Sequence, residues 1–133
     1  GCAVAVEMAT RSQVYAVVIE SAFTSVQAMA KRAYPFLPGI GLISRTKYDS
    51  LAKIKDVRAP IMVLHGDQDE QIPVASSAVL LSQLCAFEGH APLERRVYEG
   101  ANHGSAVIDY FDDLVAWLEE RVAGEPAVDQ CGN

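Results

Sequence analysis

The chain has no run of about 18 apolar residues, the length needed to cross a bilayer as a helix. Positive charge is scarce as well. Eleven Lys and Arg face 17 Asp and Glu, for a net charge of −6 and a pI near 4.9. Without a basic stripe to neutralise phosphates, nucleic-acid binding is excluded as a function class, and attraction to anionic lipid headgroups is disfavoured for the same reason. Other membrane contact is left open. Cysteine is sparse: Cys2, Cys85 and Cys131 show neither a CxxC pair nor a Cys/His ligand spacing, and an odd count makes no disulfide framework. Reduced thiols are the simplest expectation, with Cys85 a small core side chain in an apolar helical run and Cys131 in the tail. The first residue is Gly1, with no Met and no charged or apolar leader ahead of the first helix. The expectation is therefore a piece of a longer protein, whose compartment is not fixed; the cytoplasm is slightly favoured.

What is present suits one folded domain. Half of the 133 residues are hydrophobic, 21% are charged and the mean hydropathy is +0.13, which separates the chain from disordered sequences. Residues 2–11, "CAVAVEMATR", are small and apolar and predict a helix lying close on a sheet. "VYAVVIES" (14–21) and "IMVLHG" (61–66) are short, β-branched and almost continuously apolar, which predicts strands buried on both faces. A helix is expected from about Ser25 until Pro35 stops it, then an irregular connector from Pro35 to Ala59. Pro73 opens a helix over 74–87, and "LERRVYEG" (93–100) is a more polar strand nearer an edge. Val107, Ile108, Phe111, Leu114, Val115, Leu118 and Val122 recur at helical spacing, so one long amphipathic helix is expected, ended by Gly124. "EPAVDQCGN" (125–133) reads as a disordered tail. Strands alternating with helices predict an α/β chain, a three-layer α/β/α sandwich with parallel strands. No internal repeat and no dividing linker interrupts it.

In open parallel sheets functional groups gather at the carboxyl ends of the strands. Three loops qualify: "ESAFTS", "HGDQDEQIP" and "EGANHGS". Asp69 and His103 sit in the last two, separated by one helix and one strand, so both side chains should emerge at one edge of neighbouring strands. A carboxylate there can accept the Nδ1 proton of an imidazole, fix its tautomer and stabilise its cationic form, as nucleophilic catalysis requires. Asp67 and Glu70 compete for the acid role, their plain reading being solvated turn residues, with Asp67 bonding local backbone N–H groups. His65 reads as structural, bonding across loops, and His90 as exposed.

"LHGDQDEQIP" and "EGANHGS" resemble the acid and histidine segments of the α/β-hydrolase superfamily, HGxxDxx(V/I)P and GxxH, and "GCAVAVEMA" resembles the helix after its nucleophile elbow. "KYDSLAKIKDVRAPIMVLHG" is similar to the serine aminopeptidase, acylglycerol lipase and acyl-thioesterase-like branch. The resemblance covers residues 1–122 and implies a partial α/β-hydrolase fold, with residues 1–124 the carboxyl-terminal part of the domain. It implies Asp69 as triad acid, His103 as base, and no metal or organic cofactor. The substrate would be a small-molecule or acyl compound whose ester, thioester or amide bond is cleaved through an acyl-enzyme. Phe23, Phe36 and Leu37 are candidates for the substrate wall, the segment from Pro35 to Tyr48 standing where such enzymes insert a lid; the plain reading of each is core.

The family order is Ser, then acid, then His, with the serine in G-x-S-x-G. The chain contains no such motif. If Gly1 is the last glycine of that elbow, the serine lies two residues earlier, and the oxyanion-hole amides lie outside as well. Cys2, Ser21, Ser25 and Ser105 have no elbow frame; Ser25 or Thr24 and Ser105 read as helix caps. Loss of a triad serine costs on the order of 10⁶ in turnover, so the chain alone should be nearly inert. The alternative is a non-catalytic binding or scaffold module of the same fold. In either case the strand at 14–21 lacks a neighbour on one side, and the isolated chain is expected to self-associate.

Overall fold

The computed structural model of the chain describes residues 2–22, 30–31, 34–39 and 50–132. Its described elements are α1 (Cys2–Arg11), β1 (Val17–Glu20), α2 (Ser50–Ile54), β2 (Ile61–Gly66), α3 (Val74–Cys85), β3 (Leu93–Tyr98), α4 (Ser105–Asp109) and α5 (Phe111–Val122). The helix expected from Ser25 to Pro35 falls largely outside the described residues, as does the connector over 40–49.

The three strands form a parallel sheet in chain order, β1-β2-β3. Val17 is in register with Ile61 and Glu20 with Leu64; Ile61 is in register with Leu93 and Gly66 with Tyr98. Every residue of β2 is buried, which explains its unbroken apolar run: a central parallel strand has no wet face. Its side chains divide by parity between two cores. Ile61 and Val63 pack with Val6 of α1, Ile54 of α2 and Leu80 and Leu84 of α3. Met62 and Leu64 pack with Ala106 of α4 and Leu114 and Trp117 of α5. Helices thus cover both faces and the expected three layers form.

Several boundaries differ from the sequence reading. β1 begins at Val17 because Val14 and Tyr15 are exposed. The expected irregular connector contains α2, five residues whose Lys53 pairs with Glu7 of α1 while Ile54 is buried against that helix. So short a helix shows too few turns for a periodic signal. The expected single last helix is two, α4 and α5, broken at Tyr110, which has φ −120° and ψ 32°. The break leaves Ile108 and Phe111 exposed, and Trp117 joins Leu114 in the core. Trp117 Nε1 donates to Glu94 Oε2 at 3.0 Å, and Arg96 Nε donates to Glu94 Oε1 at 2.7 Å, so the buried Glu94 is satisfied on both oxygens. Arg96 also reaches Asp113 at 2.7 Å, and the Tyr98 hydroxyl donates to the same carboxylate, tying β3 to α5.

The tail corrects two expectations. Cys85 and Cys131 form a disulfide, so neither is a reduced thiol. Residues 129–131, expected to be disordered, lie along the outer edge of β3. The Gln130 N–H donates to Leu93 O at 2.9 Å, and its side-chain amide accepts from Arg95 N at 2.9 Å and donates to Arg95 O at 3.2 Å. A polar segment without periodicity gives no signal of this, since one side-chain amide here substitutes for strand backbone and covers an edge.

Gly66 ends β2 where the loop after β3 crosses it. A Cβ on Gly66 would stand 2.1 Å from the backbone oxygen of Ala101. Gly66→Ala therefore forces the two loops apart and is expected to cost at least about 1–3 kcal/mol, measurable by urea unfolding.

Candidate active site

The carboxyl ends of β1, β2 and β3 deliver Ser21, Asp69 and His103 to one place. Asp69 is at the centre, its side chain fully buried. Its Oδ1 accepts the backbone N–H groups of Gln71 at 2.9 Å and Ile72 at 2.8 Å, because the turn after β2 curls around the carboxylate. Its Oδ2 accepts the Ser21 hydroxyl at 2.6 Å and His103 Nδ1–H at 3.0 Å. Burial pushes the carboxyl upward, but the Ile72 N–H, the Ser21 hydroxyl and His103 outweigh it and hold the group below its usual 3.8. Asp69 is thus a carboxylate built to stay ionised.

His103 sits in the loop between β3 and α4, followed by Gly104 at φ 86°, a left-handed conformation that glycine adopts without strain. The loop is pinned to its neighbour: Gln68 N–H bonds Ala101 O at 2.9 Å and Gly100 N–H bonds Asp67 Oδ1 at 2.7 Å. Asp67 therefore clamps a second loop instead of capping its own turn. Donation from Nδ1 leaves Nε2 as the acceptor nitrogen, and among the described residues nothing bonds it. The imidazole lines a cavity of about 550 Å³ with Gln68, Glu70, Gln71, Gly100 and Asn102, and its side chain is 37% exposed.

The other sequence candidates fall elsewhere. Glu70 is exposed. His65 is buried and bonds Ile72 O through Nε2 at 2.7 Å, with Asp69 Oδ2 3.5 Å away; it braces the acid loop, as a structural histidine should. His90 is half-buried, with Nδ1 bonded to Ala91 O at 2.9 Å. Ser105 does not cap α4 with its side chain; its hydroxyl accepts Asn102 N–H at 2.8 Å. Phe36 and Leu37 are exposed, Phe36 standing edge-on to Tyr34 at 6.3 Å. Phe23 and Ser25 lie outside the described residues. Ser21 is the member the sequence reading did not place. It is buried and holds φ at 50°, a strained value for a residue with a Cβ, fixed by its N–H to Leu64 O at 2.8 Å and its hydroxyl to Asp69. The only sequence sign was its position ending the first strand at the same sheet edge. A larger depression of about 770 Å³ between residues 9–15 and 56–59 opens at the amino ends of β1 and β2, away from this cluster.

Residues 1–125 match the prolyl oligopeptidase family. The chain belongs to that family. It is 29% identical over 137 aligned residues to Protein bem46 of Schizosaccharomyces pombe, covering 96% of this chain and 43% of that protein. The fold is shared with the 2,6-dihydroxy-pseudo-oxynicotine hydrolase, with a TM-score of 0.64 at 16% identity, over 97% of this chain and 41% of the other. The esterase domain of a Rhodothermus marinus protein superposes with a TM-score of 0.65 at 17% identity, over 92% and 57%. The chain is a partial α/β-hydrolase domain of a serine-hydrolase family, and it spans less than half the length of the curated relative.

Because the folded Asp69 carboxyl titrates below its usual value, the stability it contributes is present above pH 3.8 and is lost as pH falls through the lower folded value. In urea unfolding, the stability difference between the native chain and Asp69→Asn should shrink as pH falls below about 4.

Proposed function

We propose that residues 1–124 are the carboxyl-terminal part of a serine hydrolase domain in which Asp69 is the triad acid and His103 the general base. The observation that carries this reading is the 3.0 Å bond from His103 Nδ1 to the buried Asp69 carboxylate, with Nε2 left as acceptor beside an open cavity. In that tautomer Nε2 takes the proton of an attacking hydroxyl, the imidazolium is stabilised by Asp69, and the proton passes on to the leaving group. The substrate class is an ester, thioester or amide, opened through an acyl-enzyme and then by water. Phe36 and Leu37 are proposed as apolar wall residues for the acyl part, together with Phe23.

The nucleophile is assigned to a serine outside residues 1–133. Ser21 is unsuited because its hydroxyl donates to the acid and not to Nε2 of the base. The hydroxyl of Ser105 is engaged by Asn102 N–H. The missing G-x-S-x-G also favours a second reading, a non-catalytic binding or scaffold module. The coding sequence ahead of Gly1 separates the two: G-x-S-x completed by Gly1 supports the enzyme, whereas an initiation codon in that position supports the module. In the chain so extended, a fluorophosphonate probe should label one serine, and His103→Ala should slow labelling by at least about 10³-fold. Equal labelling of the two proteins removes His103 as the base.

Among the described residues β1 pairs with β2 alone, so its other edge is a template for further pairing. The isolated 133-residue chain should therefore self-associate, its light-scattering mass rising with concentration; a constant monomer mass shows the edge to be covered.

A further inference from the structure

The end of the sheet opposite Asp69 and His103 holds a second cluster of chemistry-bearing groups. Donor atoms of His90, Asp129 and Cys131 lie within 4.8 Å of one another, and Cys85 is bonded to Cys131. The four residues come from two segments far apart in sequence, the carboxyl end of α3 with the turn after it and the tail docked on β3. We propose that they form a redox-gated site for a tetrahedral divalent metal of the Zn²⁺ type, closed as a disulfide when oxidised and open to metal when reduced.

Two neighbours prepare the donors. His90 Nδ1–H donates to Ala91 O at 2.9 Å, which leaves Nε2 unprotonated as a ligand. Asp129 Oδ1 accepts Cys131 N–H at 3.1 Å and Leu93 N–H at 3.4 Å, orienting its carboxylate. A tetrahedral zinc ion bound at about 2.0–2.3 Å brings its donors to about 3.3–3.8 Å from one another, so the donors of His90, Asp129 and Cys131, now within 4.8 Å, need to approach by about 1 Å, and the sulfurs of Cys85 and Cys131 need to part once the disulfide is reduced. Two thiolates, an imidazole and a carboxylate are the mixed set that a borderline-soft d¹⁰ ion takes. In the oxidised form the sulfurs are held in the S–S bond and are poor donors. A dithiol reductant opens it: one S–S bond breaks in the protein, one forms in the dithiol, and its two hydrogens pass to the sulfurs of Cys85 and Cys131. Metal binding then releases those two protons to solvent. The disulfide and the metal would each hold the tail against α3, so the tail is clamped in either redox state.

The test uses the full 133-residue chain with Cys2→Ser, which leaves Cys85 and Cys131 as its only thiols. Reduction is by a trialkylphosphine, which becomes the phosphine oxide with oxygen from water and leaves no competing thiol. Titration with Co²⁺ should give thiolate-to-cobalt charge-transfer absorption at one ion per chain, erased by added Zn²⁺ and absent from the oxidised chain. His90→Gln and Asp129→Asn should each weaken cobalt binding by at least about tenfold, and Cys131→Ser should abolish the charge-transfer band. The proposal is overturned if the reduced chain gives no such band, if the band survives both the His90 and Asp129 substitutions at unchanged affinity, or if reduction alone abolishes the native circular dichroism.

Discussion

A buried carboxylate has to be paid for in hydrogen bonds, and Asp69 sets that demand for the whole upper end of the sheet. Its four partners come from three loops: Ser21 after β1, Gln71 and Ile72 after β2, and His103 after β3. Leaving any one of these out would weaken the compensation of a charge taken from water, where each lost hydrogen bond is costly. The three loops are therefore held in one arrangement, and the placement of His103 beside Asp69 and the strained backbone of Ser21 are consequences of it. Gly66 has no side chain for a related reason, since the loop carrying His103 passes almost through the space a Cβ would fill.

The demand can be met because the strands below are rigidly placed. β2 is buried on both faces, its odd residues in one core and its even residues in the other, so a one-residue slip of register would exchange the two cores and misplace Asp69 with them. β3 is held from both sides in a different manner. The Glu94, Arg96 and Tyr98 side chains bind it to Trp117 and Asp113 of α5, while the tail covers its outer edge through Gln130. Glu94 and Arg121 are both buried beside Trp117; Glu94 is bonded on both oxygens, while Arg121 lays its guanidinium 5.2 Å from the ring centroid and bonds Glu120, its Nε lacking a hydrogen-bond partner among the described residues.

Much of this could be read along the chain. The unbroken apolar runs at 14–21 and 61–66, the proline opening α3, and the acid and histidine loops at corresponding strand ends were sufficient for a parallel sandwich with Asp69 beside His103. The readings that failed did so where local pattern carries no information. α2 is too short to display a period, and the break at Tyr110 lies within a pattern that remains apolar on both sides of it. Cys85 and Cys131 stand far apart in sequence, with nothing nearby to mark them as a pair. Asp67 looked like a local turn residue and instead reaches Gly100 on the next loop.

The sequence by itself determined the layers and the meeting of Asp69 with His103 at one edge of the sheet, because burial on two faces and the alternation of strand with helix leave few other packings for these residues. Only the tertiary structure decided that Ser21 completes the bonds of Asp69, that His65 braces the loop after β2, and that the tail is fastened to β3. Those outcomes depend on distances between residues remote along the chain, and such distances are set by the closing of loops over a finished sheet.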